Sequence, residues 1–194
     1  ALLPPPRLRV ARRRILWSLV AGVGLGSTGY IAAVTVATIV ARELAGSSAW
    51  AGVPGAAVVL GSAAGSTLLS ALMVRRGRRV GLTVGYLLGA LGAALSAAAV
   101  IARSFPLLLL ATVLMGFANS SSQLSRYTAA DMFPPARRAS AIGTVVWGAT
   151  VGAVVGPNLV TFAGDLARSI GLPALSGVYL VALLFVGAAA LLSL

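Results

Sequence analysis

The sequence predicts an all-α integral membrane protein, a bundle of six transmembrane helices, and three observations carry that expectation. Hydrophobic residues make up 59% of the chain and charged residues 9%, against about 25% charged in a soluble domain. Residues 44–74 and 80–102 contain no Asp, Glu, Lys or Arg, and each run exceeds the roughly 20 apolar residues that cross a bilayer core. Between the two runs lies the basic knot Arg75, Arg76, Gly77, Arg78 and Arg79, too short for anything but a tight hairpin loop.

Residues 1–14 read as an exposed basic arm. Pro4, Pro5 and Pro6 favour extended polyproline backbone, and Arg7, Arg9, Arg12, Arg13 and Arg14 follow. The apolar run 15–40 is 26 residues long, beyond the about 7–15 of a signal-peptide core, so it is a first transmembrane helix. Arg42, Glu43, Gly46, Ser47 and Ser48 close it. Five further spans are expected at 53–74, 80–102, 107–127, 141–163 and 174–194. Arg103, Ser104 and Pro106 separate the third from the fourth. Pro134, Pro135, Arg137 and Arg138 precede the fifth, and Gly164 and Asp165 through Pro173 precede the sixth.

The charge distribution orients these spans. The arm holds five arginines, the 75–79 loop four, and the 126–138 region three (Arg126, Arg137, Arg138), while only Arg42, Arg103 and Arg168 fall on the other side. Twelve against three is a strong positive-inside bias. It predicts a multi-pass protein of the plasma membrane with both termini cytoplasmic. The net charge of +12 therefore faces anionic lipid and not nucleic acid. With no Cys and no His, disulfides, thiolate chemistry and the usual metal sites are excluded, and no cofactor is expected. Intramembrane proteolysis needs paired aspartates, a Ser–His pair or metal ligands; the three acids Glu43, Asp131 and Asp165 are scattered, so an enzyme is not expected.

Helices associate in lipid through close packing, which small residues four apart permit. Such pairs recur at Gly22 and Gly26, at Gly61 and Gly65, at Gly81, Gly85 and Gly89, and at Gly148, Gly152 and Gly156. They predict a tight bundle without specifying which one.

Three stretches resemble the major facilitator superfamily, specifically its N-terminal six-helix half. Residues 70–79 are similar to that family's loop between helices two and three, G-x-L-A-D-R-x-G-R-R. Leu72, Arg75, Gly77, Arg78 and Arg79 match, whereas Ser70 replaces the first Gly and Val74 replaces the Asp, an acid that in the family helps latch the two halves. Residues 127–138 resemble the acidic-x-x-Pro-x-x-x-Arg signature after helix four, through Asp131, Pro134 and Arg138; the acid and the arginine across the proline turn are expected to form a charged clasp. Residues 148–157 resemble the fifth-helix antiporter motif, G-x-x-x-G-P-x-x-G-G, through Gly148, Gly152, Gly156 and Pro157, with Val160 and Thr161 in place of the final glycines. The resemblance implies that this helix bends at Pro157 and acts as a gate. Antiporters of the superfamily often carry an arginine four residues before a helix-four Gly; here Thr112 precedes Gly116. No Asp, Glu, Arg or Lys is expected at mid-membrane, so a proton relay is not legible.

The resemblance implies a secondary transporter that moves a small solute by alternating access, of efflux type. Helices one and four line the cavity in this family. Without buried charge, the contacts would come from polar and aromatic side chains: Ser27, Thr28 and Tyr30 in helix one, and the polar run 119–123 in helix four, chiefly Asn119 and Gln123. The gating and conformational residues would be Arg75, Gly77, Arg78, Arg79, Asp131, Arg138, Gly148, Gly152, Gly156 and Pro157. A non-transporting membrane scaffold and the membrane domain of an ATP-driven exporter are the alternatives. The short loops argue against the exporter. Six helices would leave the polar run facing lipid, so a second set of six helices in the same gene, or a second copy of the chain, is expected as partner.

Overall fold

The computed structural model describes the backbone of residues 6–194 and the side chains of residue 10 and residues 12–194. The described residues form six long helices: α1 (Pro6–Ala45), α2 (Val53–Arg76), α3 (Arg78–Ile101), α4 (Phe105–Asp131), α5 (Pro135–Ser169) and α6 (Ala174–Leu192), with one short 3-10 turn at Ser48–Trp50. Each of the six is long and apolar enough to cross a membrane. All six expected spans are present, and most of their helices run past the expected ends.

The largest difference lies at the start of the chain. Pro4 and Pro5 fall outside the described residues, but from Pro6 onward the expected arm is helix, continuous with the first span for 40 residues. Proline at a first helical position has its φ already set for the helix, and the Leu, Arg, Val and Ala that follow are mostly good helix formers. At about 1.5 Å per residue, α1 is roughly twice the thickness of a bilayer core. Local proline chemistry thus marks where the helix begins and not an extended segment.

The reversals are short. Gly77 alone connects α2 to α3, with φ at 92°, a conformation that side chains with a Cβ rarely adopt. This is why a glycine interrupts the arginines. Ser104 caps α4 by accepting a hydrogen bond from the Leu107 amide at 3.4 Å, and Pro106 occupies the first turn, where its missing N–H is not needed.

The packing has an internal two-fold pattern. Helix α1 packs against α5 and α6, while α4 packs against α2 and α3; α3 meets α6 and α1 meets α4. Exchanging α1 with α4, α2 with α5 and α3 with α6 maps each of these contacts onto another. Because α1 and α4 cross in opposite directions, this is the arrangement of two inverted three-helix repeats. The glycines follow the same symmetry. A Cβ at Gly148, Gly152 or Gly156 of α5 would meet the carbonyl oxygens of Val20, Gly24 and Thr28 of α1 at 2.6, 2.8 and 2.9 Å. At the symmetry-related contact, a Cβ at Gly61 of α2 would run into the Val113 backbone of α4, and one at Gly116 of α4 into Gly61 and Ser62. Two parallel helix pairs are thus in backbone-to-backbone contact.

That contact distinguishes glycines of equal helix propensity. Alanine in place of glycine gains up to about 1 kcal/mol of intrinsic helicity at either kind of position. At Gly143, where nothing lies within 4 Å of the new Cβ, Gly143→Ala should keep that gain. At Gly152, overpacking against the α1 backbone of roughly 1–3 kcal/mol should reverse it. Thermal unfolding of the two variants in detergent should therefore move in opposite directions, and a rise in both would show that α1 and α5 are not in close contact.

Candidate functional site

Helices α1, α4 and α5 enclose a cleft of about 280 Å³. Ser27, Tyr30 and Ile31 of α1 line one wall, and Asn119, Ser122, Gln123 and Arg126 of α4 another. Val146, Ala149, Thr150 and Ala153 of α5 complete it. The three walls follow from helical spacing: 119, 123 and 126 share one face of α4, and 146, 149, 150 and 153 share one face of α5. The glycine ladder of α5 points elsewhere, at α1, so the face that holds the helix pair together and the face that lines the cleft are separate.

Four of the five residues expected to contact solute are brought together here: Ser27, Tyr30, Asn119 and Gln123. Thr28 is not among them. It is buried, and its hydroxyl donates to the Gly24 carbonyl at 2.8 Å, one turn back on its own helix. Threonine commonly satisfies its hydroxyl in this way inside a helix, so Thr28 belongs to the α1–α5 contact.

The polar run 119–123 does not form a single exposed face. Five consecutive helical residues point in all directions, and they divide among α2, α3 and the cleft. Ser120 donates to the Ser62 carbonyl of α2 at 2.7 Å, Ser121 to the Leu82 carbonyl of α3 at 3.3 Å, and Ser122 lies 3.3 Å from the Tyr86 hydroxyl. All three serines are buried. Asn119, half-buried, donates to the Ser62 hydroxyl at 3.2 Å and reaches the cleft as well. Gln123 is the exposed member of the run. The serines are interhelical ties between α4 and its neighbours, and Asn119 and Gln123 supply the polar lining.

Arg126 is a cleft-lining residue that the sequence reading did not single out. It falls within the expected fourth span, 107–127, although its charge counts with the cytoplasmic arginines of 126–138; in the structure it lies inside α4, on the cleft wall. Its Nε is buried and has no hydrogen-bond partner among the described residues. The usable signal was spacing: 119, 123 and 126 are separated by four and three residues, the pattern of one helix face.

The expected clasp also has a different partner. Asp131 accepts a hydrogen bond from Arg78 Nη2 at 2.5 Å, joining the end of α4 to the start of α3. Arg138 instead donates through Nε to the Phe133 carbonyl at 3.3 Å, within the turn between α4 and α5. The proline turn sends Arg138 along its own connection, while the one-residue reversal at Gly77 places Arg78 beside α4. Arg75 and Arg79 are exposed, and Arg79 borders a second cavity with Arg14, Arg78 and Tyr86. That cavity is larger, about 490 Å³, and of its three arginines Arg78 is paired with Asp131.

Pro157 sits inside α5 and is exposed. Its missing N–H leaves the carbonyl of Ala153, a cleft-lining residue, without the usual amide four residues on. One residue further, the Asn158 side chain donates to the Val154 carbonyl at 2.7 Å.

Two inverted three-helix repeats with a cleft between their first helices define a class, the multi-pass helical membrane proteins built from internal repeats. Comparison with known proteins gives the family: the chain belongs to the Major Facilitator Superfamily, whose family model matches residues 16–194. It is 35% identical over 178 residues to the uncharacterized MFS-type transporter YdeG of Bacillus subtilis (strain 168), covering 92% of this chain and 41% of that protein. A second Bacillus subtilis protein, the uncharacterized MFS-type transporter YddS, is 34% identical over 156 residues, 80% of this chain and 36% of its own length. The riboflavin transporter RfnT of Brucella anthropi is 30% identical over 155 residues, 80% of this chain and 39% of that protein. The chain thus spans about two fifths of the length of these relatives.

The Asp131 pairing is open to a direct check. Both side chains are about half exposed, 47% and 56%, so the pair should contribute no more than about 1 kcal/mol. In a double-mutant cycle on unfolding, Arg78→Ala and Asp131→Ala should couple by a few tenths of a kcal/mol up to that limit, while Arg138→Ala and Asp131→Ala should be additive. Coupling confined to the second pair would restore the clasp expected from the sequence.

Proposed function

We propose that this chain is one half of a secondary transporter that exports a small solute by alternating access, with the α1–α4–α5 cleft as its share of the pathway. The observation that carries this reading is the convergence of Ser27, Tyr30, Asn119 and Gln123, from two helices adjacent only in space, on one cleft. A scaffold would need the serine ties between helices but not a polar cleft beside them. The support for export is the resemblance of α5 to the antiporter motif, whose glycines set the α1 contact and whose Pro157 removes one backbone hydrogen bond next to the cleft.

The second half is a further six-helix bundle. Two observations support it: the relatives are more than twice as long as the matched segment, and α2 and α5 are the least covered helices. Only 33% and 28% of their apolar windows are buried, against 50–56% in the other four. We place the second bundle against these two helices, which flank the cleft. The basic ends of the helices, with Gly77 and Pro135, face the cytoplasm of the plasma membrane, and the solute is a small molecule. Riboflavin, named for one relative, is a reasonable uncharged heteroaromatic probe.

Two measurements on the full-length protein test this reading. Reconstituted in vesicles, Gln123→Ala and Tyr30→Phe should each weaken apparent solute affinity by roughly 2- to 10-fold, the loss of one hydrogen bond of about 0.5–1.5 kcal/mol, at unchanged folded yield. Unaltered flux in both variants would remove the cleft from the pathway. For orientation, Gly77→Cys and Pro135→Cys should react with an impermeant thiol reagent only from the cytoplasmic side, and Ser47→Cys and Ser104→Cys only from outside. Labelling of Gly77→Cys in intact cells would invert the topology.

A further inference from the structure

The cleft holds one charge. Arg126 lines it with its Nε buried and unpartnered among the described residues, and no acid lies nearby to neutralise it. Of the three acids in the chain, Asp131 is bound to Arg78 and Asp165 to Arg168 at 2.6 Å. Glu43 lies near the end of α1, on the side of the membrane opposite the end of α4. The remaining polar lining, Ser27, Tyr30, Asn119, Ser122, Gln123 and Thr150, is neutral.

A topology signal would explain an arginine near a helix end. Such a side chain extends its head toward interfacial water, along the route of Arg78 and Arg79. Arg126 instead lies five residues before Asp131 and shares the face of Asn119 and Gln123, about 4.5 Å along the axis from Gln123 and about 10 Å from Asn119. A cation in a partly desolvated cleft, without an internal counter-charge, attracts an anion from outside. Guanidinium is also the group whose planar fork fits a carboxylate or phosphate through two parallel hydrogen bonds.

We infer that Arg126 is the recognition cation of this cleft and that the transported solute carries an anionic oxygen group, a carboxylate or a phosphate. The neutral residues then bind the rest of the solute: Gln123 and Asn119 about one and two turns deeper, and Tyr30 and Ser27 from the facing helix. This rests on the transport reading above and adds the charge of the solute to it.

The test uses the full-length transporter with Asn119→Cys as its sole cysteine, reconstituted in phosphatidylcholine vesicles. The cysteine is modified with an anionic (sulfonatoethyl) and a cationic (trimethylammonioethyl) methanethiosulfonate, each rate normalised to that of a small free thiol. With Arg126 in place the anionic reagent should be favoured about tenfold by the local field. Arg126→Gln should bring the ratio close to one, Arg126→Lys should retain most of it, and benzoate should slow labelling only where the positive charge remains. Equal ratios with Arg126 and with Arg126→Gln, or an acid of the second half that already cancels the preference, would overturn the inference and leave the transport reading standing. No labelling by either reagent would mean that the cleft is closed to water and would defeat both. If the anionic preference and the benzoate effect vanish when phosphatidylglycerol is added, the site belongs to a lipid headgroup, and the solute assignment falls.

Discussion

The bundle depends on backbone meeting backbone. Lipid tails are as apolar as leucine, so burying hydrophobic side chains between helices gains little in a membrane, and association rests on van der Waals contact and interhelical hydrogen bonds. Here the closest approaches are at Gly148, Gly152 and Gly156 against successive turns of α1, and at Gly61 against the Val113 region of α4 with Gly116 opposite. A single methyl group at these points would enter the neighbouring backbone. Because the two seams are related by the internal two-fold pattern, each inverted repeat is held to the other by the same device. α1 and α4 are thereby locked at the centre, with their remaining faces free to line a cleft.

Once α1 and α4 are fixed, the chemistry of the cleft follows from which side chains are left over. On α4 the small hydroxyls of Ser120, Ser121 and Ser122 are consumed by α2, α3 and Tyr86, which meets the requirement that buried polar groups find partners where water is scarce. Asn119, Gln123 and Arg126 remain on the cleft side. On α5 the glycines face α1 while Val146, Ala149, Thr150 and Ala153 face the cleft. Pro157 lies in the unbroken helix within about one turn of that lining and removes one backbone hydrogen bond, at Ala153. On α5 packing and cleft lining therefore use different faces, while on α1 Ser27 and Ile31 serve both, lying against Gly152 and Gly156 and lining the cleft.

Much of this was legible in the sequence, and the exceptions share a cause. The six spans could be read because apolar runs and arginine breaks are properties of contiguous residues. The glycine spacing announced close packing but could not say that α5 pairs with α1 and α2 with α4, since partner choice is a tertiary matter. Contiguity misled in three places. The polar run 119–123 looked like one surface, although a helix turns 100° per residue and distributes it among α2, α3 and the cleft. Arg126 was grouped with loop arginines by charge, while its place three residues after Gln123 and seven after Asn119 identified its face. Asp131 was matched with Arg138, seven residues away in sequence, although the one-residue reversal at Gly77 brings Arg78 to it. Thr28 looked polar and available, yet its hydroxyl is satisfied within its own helix.

The central claim is that the α1–α4–α5 cleft is a water-filled pathway and the outer faces of α3 and α6 meet lipid. The most direct test is collision accessibility of spin labels placed at Gln123 and Thr150 of the cleft and at Leu91 and Leu184, both exposed on outer helices, in the full-length protein in bilayers. The account predicts that a water-soluble nickel chelate relaxes the labels at Gln123 and Thr150 more strongly than oxygen does, with the order reversed at Leu91 and Leu184. Oxygen dominance at all four positions would place the cleft in lipid and contradict it.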